Sequence, residues 1–202
     1  MGEHTKQATI ISTALINADR YILAIRPDRE IGTKIQLEQN EFALQYNSGA
    51  NSITPFISIA NFTAKESMES TLVRWLSKIC SLQHSFSVTL NNYSGLPPHA
   101  IYLRVQDQEP VQRLAQQLKA IDEYLRANDC PSLQWVKRMR MDIAHQLSPA
   151  VYENALRDYS ARLFFESFIA TELILLRVDQ IDEPPRLIHV FGFLPLENKL
   201  FN

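Results

Sequence analysis

Apolar residues fall in short runs punctuated by proline, glycine and polar turns, and the spacing within the runs changes from element to element. Tyr21-Ile-Leu-Ala-Ile25 is a compact apolar run stopped by Arg26-Pro27, which predicts a buried strand. From Asp28 to about Tyr46, Ile31, Ile35, Phe42 and Tyr46 stand in a polar background and predict a helix ending near Gly49. Ile53 to Phe62 is rich in strand formers. Thr63-Ala-Lys-Glu66 has the form of a capping box, with a helix after it carrying Met68, Leu72, Trp75, Leu76 and Ile79 on one face.

Phe86-Ser-Val-Thr-Leu90 alternates with period two, and Ala100-Ile-Tyr-Leu-Arg-Val105 is a second strand. Between them Asn91 to Pro98 has turn chemistry, so the pair predicts a hairpin with a long loop. Pro110 opens a helix whose stripe runs through Val111, Leu114, Ala115, Leu118, Ile121 and Leu125 until Pro131 breaks the chain. Trp135 to about Leu147 predicts a strand. Ser148-Pro149 supplies a cap and a proline for a helix running to about Leu163. Phe168 to Val178 and Leu187 to Leu194 complete the strands. Strands are often sequence neighbours, so the pattern favours α+β with antiparallel sheets over a doubly wound fold.

The length of 202 residues suits one domain, or two small lobes sharing an interface. Apolar residues make up 46% of the chain, enough for a packed core. A net charge of -2 argues against a protein that coats DNA, while leaving room for a local basic patch. The chain has five glycines and neither GxGxxG nor GxxxxGK[ST], which argues against a phosphate-loop enzyme. Cys80 and Cys130 have no Cys or His partner at metal spacing, so neither a metal site nor a cofactor is expected, and a reduced cytoplasmic compartment is the simple reading. The N-terminus lacks the pattern of a signal peptide, and residues 1–19 read as peripheral or poorly ordered. No apolar stretch is long enough to predict a membrane span.

In the order of its elements and in several local patterns, the chain resembles the two-histidine phosphoesterases, a superfamily that includes the bacterial 2'-5' RNA ligase-like proteins and cyclic phosphodiesterases. The likeness runs over roughly residues 20 to 196. Tyr21-Ile-Leu-Ala-Ile25 looks like the opening strand. Pro55-Phe-Ile-Ser-Ile59 stands where that family has Pro-His-x-Thr/Ser, and Met141-Asp-Ile-Ala144 stands where the second such motif belongs. Phe86 to Leu90 with Ile101-Tyr-Leu resembles the hairpin, Phe168 to Arg177 the late strand, and Phe193-Leu-Pro-Leu196 the ending.

The resemblance implies an α+β fold of two pseudo-symmetric lobes, each an antiparallel sheet backed by helices, around a central cleft. All of residues 1–202 would form one bilobal unit. Each lobe would offer one His-x-Thr/Ser, the two histidines serving as general base and general acid on a phosphodiester while the hydroxyls bond its oxygens. Phe56 takes the first histidine position and Ser58 the first hydroxyl position. Asp142 and Ala144 take the second pair. A phenyl ring exchanges no proton, so the family's catalysis is expected to be lost. His145 and His189 are the remaining histidine candidates for a rewired site.

Strict alternation sets Thr54, Phe56, Ser58 and Ala60 on one cleft wall and Arg138, Arg140, Asp142 and Ala144 on the other. Met139, Met141, Ile143 and His145 would then face the helices. Ser58, Arg138 and Arg140 become the expected ligand contacts for a nucleotide or another phosphorylated small molecule, unless Arg140 and Asp142 simply neutralise each other. Neither DNA nor a membrane is an expected partner, and RNA stays open. Tyr93 and Tyr102 read as hairpin packing, His99 as an exposed structural histidine, and Asp28, Asp179 and Asp182-Glu183 as caps and solvated turns. Two alternatives stand beside ligand binding: an active RNA or cyclic-phosphate phosphodiesterase with rewired residues, and a scaffold for a protein partner.

Overall fold

In the computed structural model, which describes residues 18–48, 54–179 and 184–196, the strands sort into two antiparallel sheets. The first has the order β5-β2-β1-β8-β9, built from β1 (Ala18–Ile25), β2 (Ile57–Lys65), β5 (Gln134–Trp135), β8 (Glu172–Val178) and β9 (Arg186–Gly192). The second has the order β6-β4-β3-β7, built from β3 (Phe86–Leu96), β4 (Ala100–Val105), β6 (Arg140–Ala144) and β7 (Phe165–Ala170). The helices are α1 (Arg29–Tyr46), α2 (Glu69–Cys80), α3 (Glu109–Gln117), α4 (Lys119–Ala127) and α5 (Pro149–Ser160). This is the expected α+β architecture of two helix-backed antiparallel sheets.

Local chemistry explains most element boundaries. Asp28 caps α1 by accepting from the Ile31 backbone N–H at 2.9 Å, and Asn47 closes that helix in the left-handed conformation at φ 46°. Ser148 caps α5 by accepting from the Val151 N–H at 3.4 Å, with Pro149 in the first turn. One face of each helix is apolar and buried: Ile31, Ile35 and Phe42 on α1, Leu72 and Leu76 on α2, Ile121 and Leu125 on α4, and Tyr152, Ala155 and Tyr159 on α5.

The structure corrects several expectations. Thr63-Ala-Lys-Glu66 is not a capping box: β2 runs on to Lys65, a 3₁₀ turn covers Glu66–Met68, and α2 begins without a side-chain cap. The strand β2 starts at Ile57, so Thr54 precedes it, while Gly49 and Ile53 lie outside the described residues. The hairpin loop is shorter than its turn-forming sequence predicts. Asn92 takes φ 53° as a bulge, which lets β3 continue to Leu96, and the turn is confined to a cis Pro97-Pro98 and His99. The Val111-to-Leu125 stripe is divided between α3 and α4, with Leu118 between them.

The two segments expected to be single strands each divide between the sheets. Residues 135–147 give β5 in the first sheet, an exposed bend at Lys137 and Arg138, and then β6 in the second. Phe168 to Val178 takes in the end of β7 in the second sheet and β8 in the first, broken at Thr171. The chain thus crosses between sheets repeatedly, and most buried apolar side chains of both belong to one core cluster. β2 and β6 do lie in different sheets, but β6 is an edge strand rather than a central one.

An edge strand exposes backbone groups that need partners. Here α1 supplies one: the Gln39 side-chain amide, itself 8% exposed, donates to the Asp142 backbone oxygen at 3.0 Å. Lys34 of α1 pairs with Glu166 of β7 at 2.9 Å, fixing the other edge of the same sheet. On the helix-backed side of the first sheet, Arg177 gathers Asp179 at 2.7 Å, Glu66 at 2.9 Å, Asp19 at 3.6 Å and Glu69 at 3.7 Å. Asp179 is therefore an ion-pair partner as well as a turn residue. Asp182-Glu183 lies outside the described residues.

Two outcomes are expected. Gln39→Leu removes the side-chain donor that serves the edge carbonyl of Asp142 and should cost about 1–3 kcal/mol in urea unfolding, whereas an unchanged midpoint would mean that solvent already serves that oxygen. The Arg177 hydrogen bond lowers the Asp179 pKa below the ordinary value. Its contribution is therefore complete above the unfolded value near ~4 and is lost as pH falls through the lower folded value. Asp179→Asn should flatten that acid limb of the stability–pH curve while leaving the neutral-to-alkaline shape unchanged.

Candidate functional site

Residues paired directly across a ladder share a sheet face, so the registers reveal what each helix-free face carries. In the first sheet, Ser58 pairs with Ala24, Asn61 with Ile22 and Thr63 with Arg20, while Ala24 and Ile22 pair onward with Ile174 and Leu176 of β8. Ile57, Ala60 and Phe62 pair with Ile25, Leu23 and Tyr21, which face the core. Between Ser58 and Ala60 the ladder shifts by one residue: Ile59 has no opposite number on β1. This bulge breaks strict alternation and turns Ala60 into the core, so Asn61 takes the place that Ala60 was expected to hold.

The second sheet repeats the device. Asp142 pairs with Tyr102 and Arg140 with Arg104 on the helix-free face, while Met141 pairs with Leu103 and Ala144 with Ile101 on the core face. Ile143 is the extra residue. Ala144 is consequently buried and unavailable to a ligand. The pseudo-symmetry thereby matches Ile57-Ser58-Ile59-Ala60 with Met141-Asp142-Ile143-Ala144. Asp142 corresponds to Ser58, and Arg140 to Phe56.

The other expected residues separate. Arg138 is on the exposed bend before β6, not on a strand face. His145 lies beyond the end of β6, exposed, in a recess formed with Tyr46, Asn47, Ser148 and Val151, rather than packed under the helices. His189 pairs with Leu175, a core-facing residue, and its exposed ring lies 4.7 Å from that of Phe191 on the side opposite the cleft. His99 is an exposed hairpin residue whose backbone oxygen accepts from Leu147.

What remains lies on the helix-free faces of the two sheets, around β2 in the first and β6 with β4 in the second. The Arg140 Nε donates to Asp142 Oδ1 at 2.7 Å, with each side chain about a third exposed at 33%. The Arg140 guanidinium also sits 5.3 Å from the Tyr102 ring centroid. Tyr102 is therefore a wall residue and not hairpin packing, which is instead the role of Tyr93 against Tyr159 and Phe164. The Ser58 hydroxyl is buried without a hydrogen-bond partner among the described residues, and Phe56 packs beside Ile22, Ala24 and Ile174. Arg26 and Glu172 form an ion pair at the end of the first wall, in period-two register with Ala24 and Ile174. Sequence reading missed that pair, although continuing the Ile22–Ala24 alternation by one step would have found Arg26.

Among the described residues no group of three or more His, Cys, Asp or Glu is placed to hold a metal ion, and no helix is long and apolar enough to cross a membrane. Burial pushes the Cys80 thiol up to about 12, so it is a packing residue rather than a nucleophile.

The architecture has known counterparts. TT0787 of Thermus thermophilus superposes with a TM-score of 0.63 at 15% identity, covering 86% of this chain and 97% of that one. E. coli LigT complexed with 3'-AMP gives 0.59 at 13%, covering 88% and 98%, and the same protein complexed with ATP gives 0.56 at 12%, covering 88% and 99%. No curated protein matches the chain by sequence. The sequence profile of the 2'-5' RNA ligase superfamily, however, matches residues 27–182, and the chain belongs to that superfamily.

An unpartnered buried hydroxyl destabilises the protein that carries it. Ser58→Ala should therefore leave stability unchanged or raise it by up to ~1–2 kcal/mol in denaturant titration. A loss of that size would reveal a hydrogen bond that Ser58 makes in solution.

Proposed function

We propose that this chain is a non-catalytic member of the superfamily that holds a nucleotide or another phosphorylated ligand in its cleft. The observation that carries the reading is the content of the paired strand positions. Ser58 lies on β2 with Phe56 just before that strand, and Arg140 and Asp142 lie on β6, with no imidazole hydrogen-bonded to Ser58 among the described residues. Phosphodiester cleavage by the family route needs two groups that exchange protons near neutral pH. A phenyl ring and a guanidinium exchange none there.

Binding needs less. Arg140 offers a planar fork of donors suited to a phosphate, and Phe56 and Tyr102 offer ring faces, while the Ser58 hydroxyl, though without a partner among the described residues, is buried and becomes a donor only where the ligand opens a path to it. Asp142 competes for the fork, so affinity should be weak. E. coli LigT has been solved with 3'-AMP, with NADP+, with ATP and with phosphate, and this supports a phosphorylated ligand for the shared fold. Buried, unpaired Cys80 and Cys130 support a reducing, cytoplasmic setting.

The purified chain should not hydrolyse 2',3'-cyclic AMP or a 2'-5'-linked dinucleotide above background. Calorimetric titration with 3'-AMP should give a saturable dissociation constant on the order of 0.1–1 mM. Asp142→Asn should tighten binding and Arg140→Ala should weaken it. Turnover that disappears in His145→Ala or His189→Ala would overturn the loss of catalysis, and the absence of saturable binding in both wild type and Asp142→Asn would overturn the ligand.

A further inference from the structure

We propose that Arg104 is the main phosphate anchor of the cleft and that Phe165 stacks on the base of the same nucleotide, which then lies crosswise over the four strands of the second sheet. This deepens the ligand-binding reading above and rests on it.

The ladders set one residue from each strand in a single transverse row. Arg140 of β6 pairs with Arg104 of β4, Arg104 pairs with Asn91 of β3, and Asn91 pairs with Phe165 of β7. Directly paired residues point to the same face. For this row it is the helix-free face, because the adjacent pairs, Leu103 with Met141 and Leu90 with Val105, lie in the core. Glu166, the next residue after Phe165, reaches Lys34 of α1 on the opposite side. The row is open: Arg104 is exposed, Asn91 half-buried and Phe165 68% exposed.

Charge along the row does not cancel. Like charges directly across a ladder destabilise a sheet, and Arg104 with Arg140 is such a pair. Arg140 is neutralised by Asp142 at 2.7 Å, and Arg26 at the end of the first wall is neutralised by Glu172. Arg104 has no carboxylate in ion-pair range among the described residues. Its Nε donates to the Asn91 backbone oxygen at 3.2 Å. That bond ties one edge of the guanidinium to the sheet and leaves the Nη groups without an acceptor among the described residues. An anion seated between Arg104 and Arg140 relieves the repulsion and meets a fork already held in place.

The other end of the row supplies the ring. Two strand spacings separate Arg104 from Phe165, roughly 10 Å, which is within the span of a nucleotide from phosphate to base. A lone exposed phenyl is ordinary surface; its place in line with an uncompensated guanidinium is what points to a ligand. The other rings of the cleft are already engaged, Phe56 by the Ile22–Ala24–Ile174 cluster and Tyr102 by the Arg140 guanidinium at 5.3 Å. Stacking needs only a ring face and tolerates every base. The ligand class is therefore a nucleoside monophosphate bound with little preference among bases.

Two probes separate the two ends of the row. Calorimetric titration with inorganic phosphate and with 3'-AMP should show Arg104→Ala weakening both by about tenfold. Phe165→Ala should weaken 3'-AMP about fivefold and leave inorganic phosphate unchanged. In wild type, inorganic phosphate should shift the side-chain Nε–H resonances of Arg104 and Arg140, a readout that requires no variant to fold. Saturable binding of 3'-AMP with no change in Arg104→Ala, or phosphate shifts confined to other arginines, would overturn the anchor while the ligand-binding reading stands. An unchanged 3'-AMP affinity in Phe165→Ala would overturn the crosswise placement. Absence of saturable binding of either probe to both wild type and Asp142→Asn would remove the ligand-binding reading and this inference with it.

Discussion

Ile59 has no opposite number on β1, and Ile143 has none on β4. Each extra residue forces two successive side chains toward the core, Ile59 with Ala60 and Ile143 with Ala144, and all four are buried. A sheet side chain changes face with every residue, so one insertion reassigns everything beyond it. The composition of the cleft depends on these two bulges. They hold Ser58 and Asp142 on the helix-free faces, remove Ala60 and Ala144 from them, and make Ser58 and Asp142 counterparts in the pseudo-symmetric pair of sheets.

Around that pair the two sheets are built as a single body. The chain crosses from one sheet to the other at the Lys137–Arg138 bend and again at Thr171, so neither sheet is a contiguous half of the sequence. Shared crossings let one apolar cluster serve both sheets. They also leave β6 at an edge, where Gln39 of α1 meets the Asp142 carbonyl. β6 is thus held through its backbone by a helix, while its side chains Arg140 and Asp142 satisfy each other and Arg140 rests on Tyr102. Membership of the 2'-5' RNA ligase superfamily fixes this scaffold. Chemistry is decided by the side chains that the scaffold presents.

The sequence by itself determined the element types and the fold class. Apolar periodicity is a local property, and it located α1, α2, α5, β1, β4 and the start of β3 within a few residues, together with the Asp28 and Ser148 caps. Tertiary structure decided the rest. Whether Thr63 caps a helix or extends a strand depends on pairing with Arg20, which lies far away in the chain. Whether 135–147 is one strand or two depends on β5 finding β2 and β6 finding β4. Alternation assigned the cleft faces correctly up to each bulge and wrongly past it, since a bulge arises from the partner strand's register and leaves no mark in the local pattern. Ala60 and Ala144 left the site for that reason, Arg138 left it because the chain bends before β6, and Tyr102, Asn61 and Glu172 entered it because non-local hydrogen bonding, rather than local propensity, chose their side of the sheet.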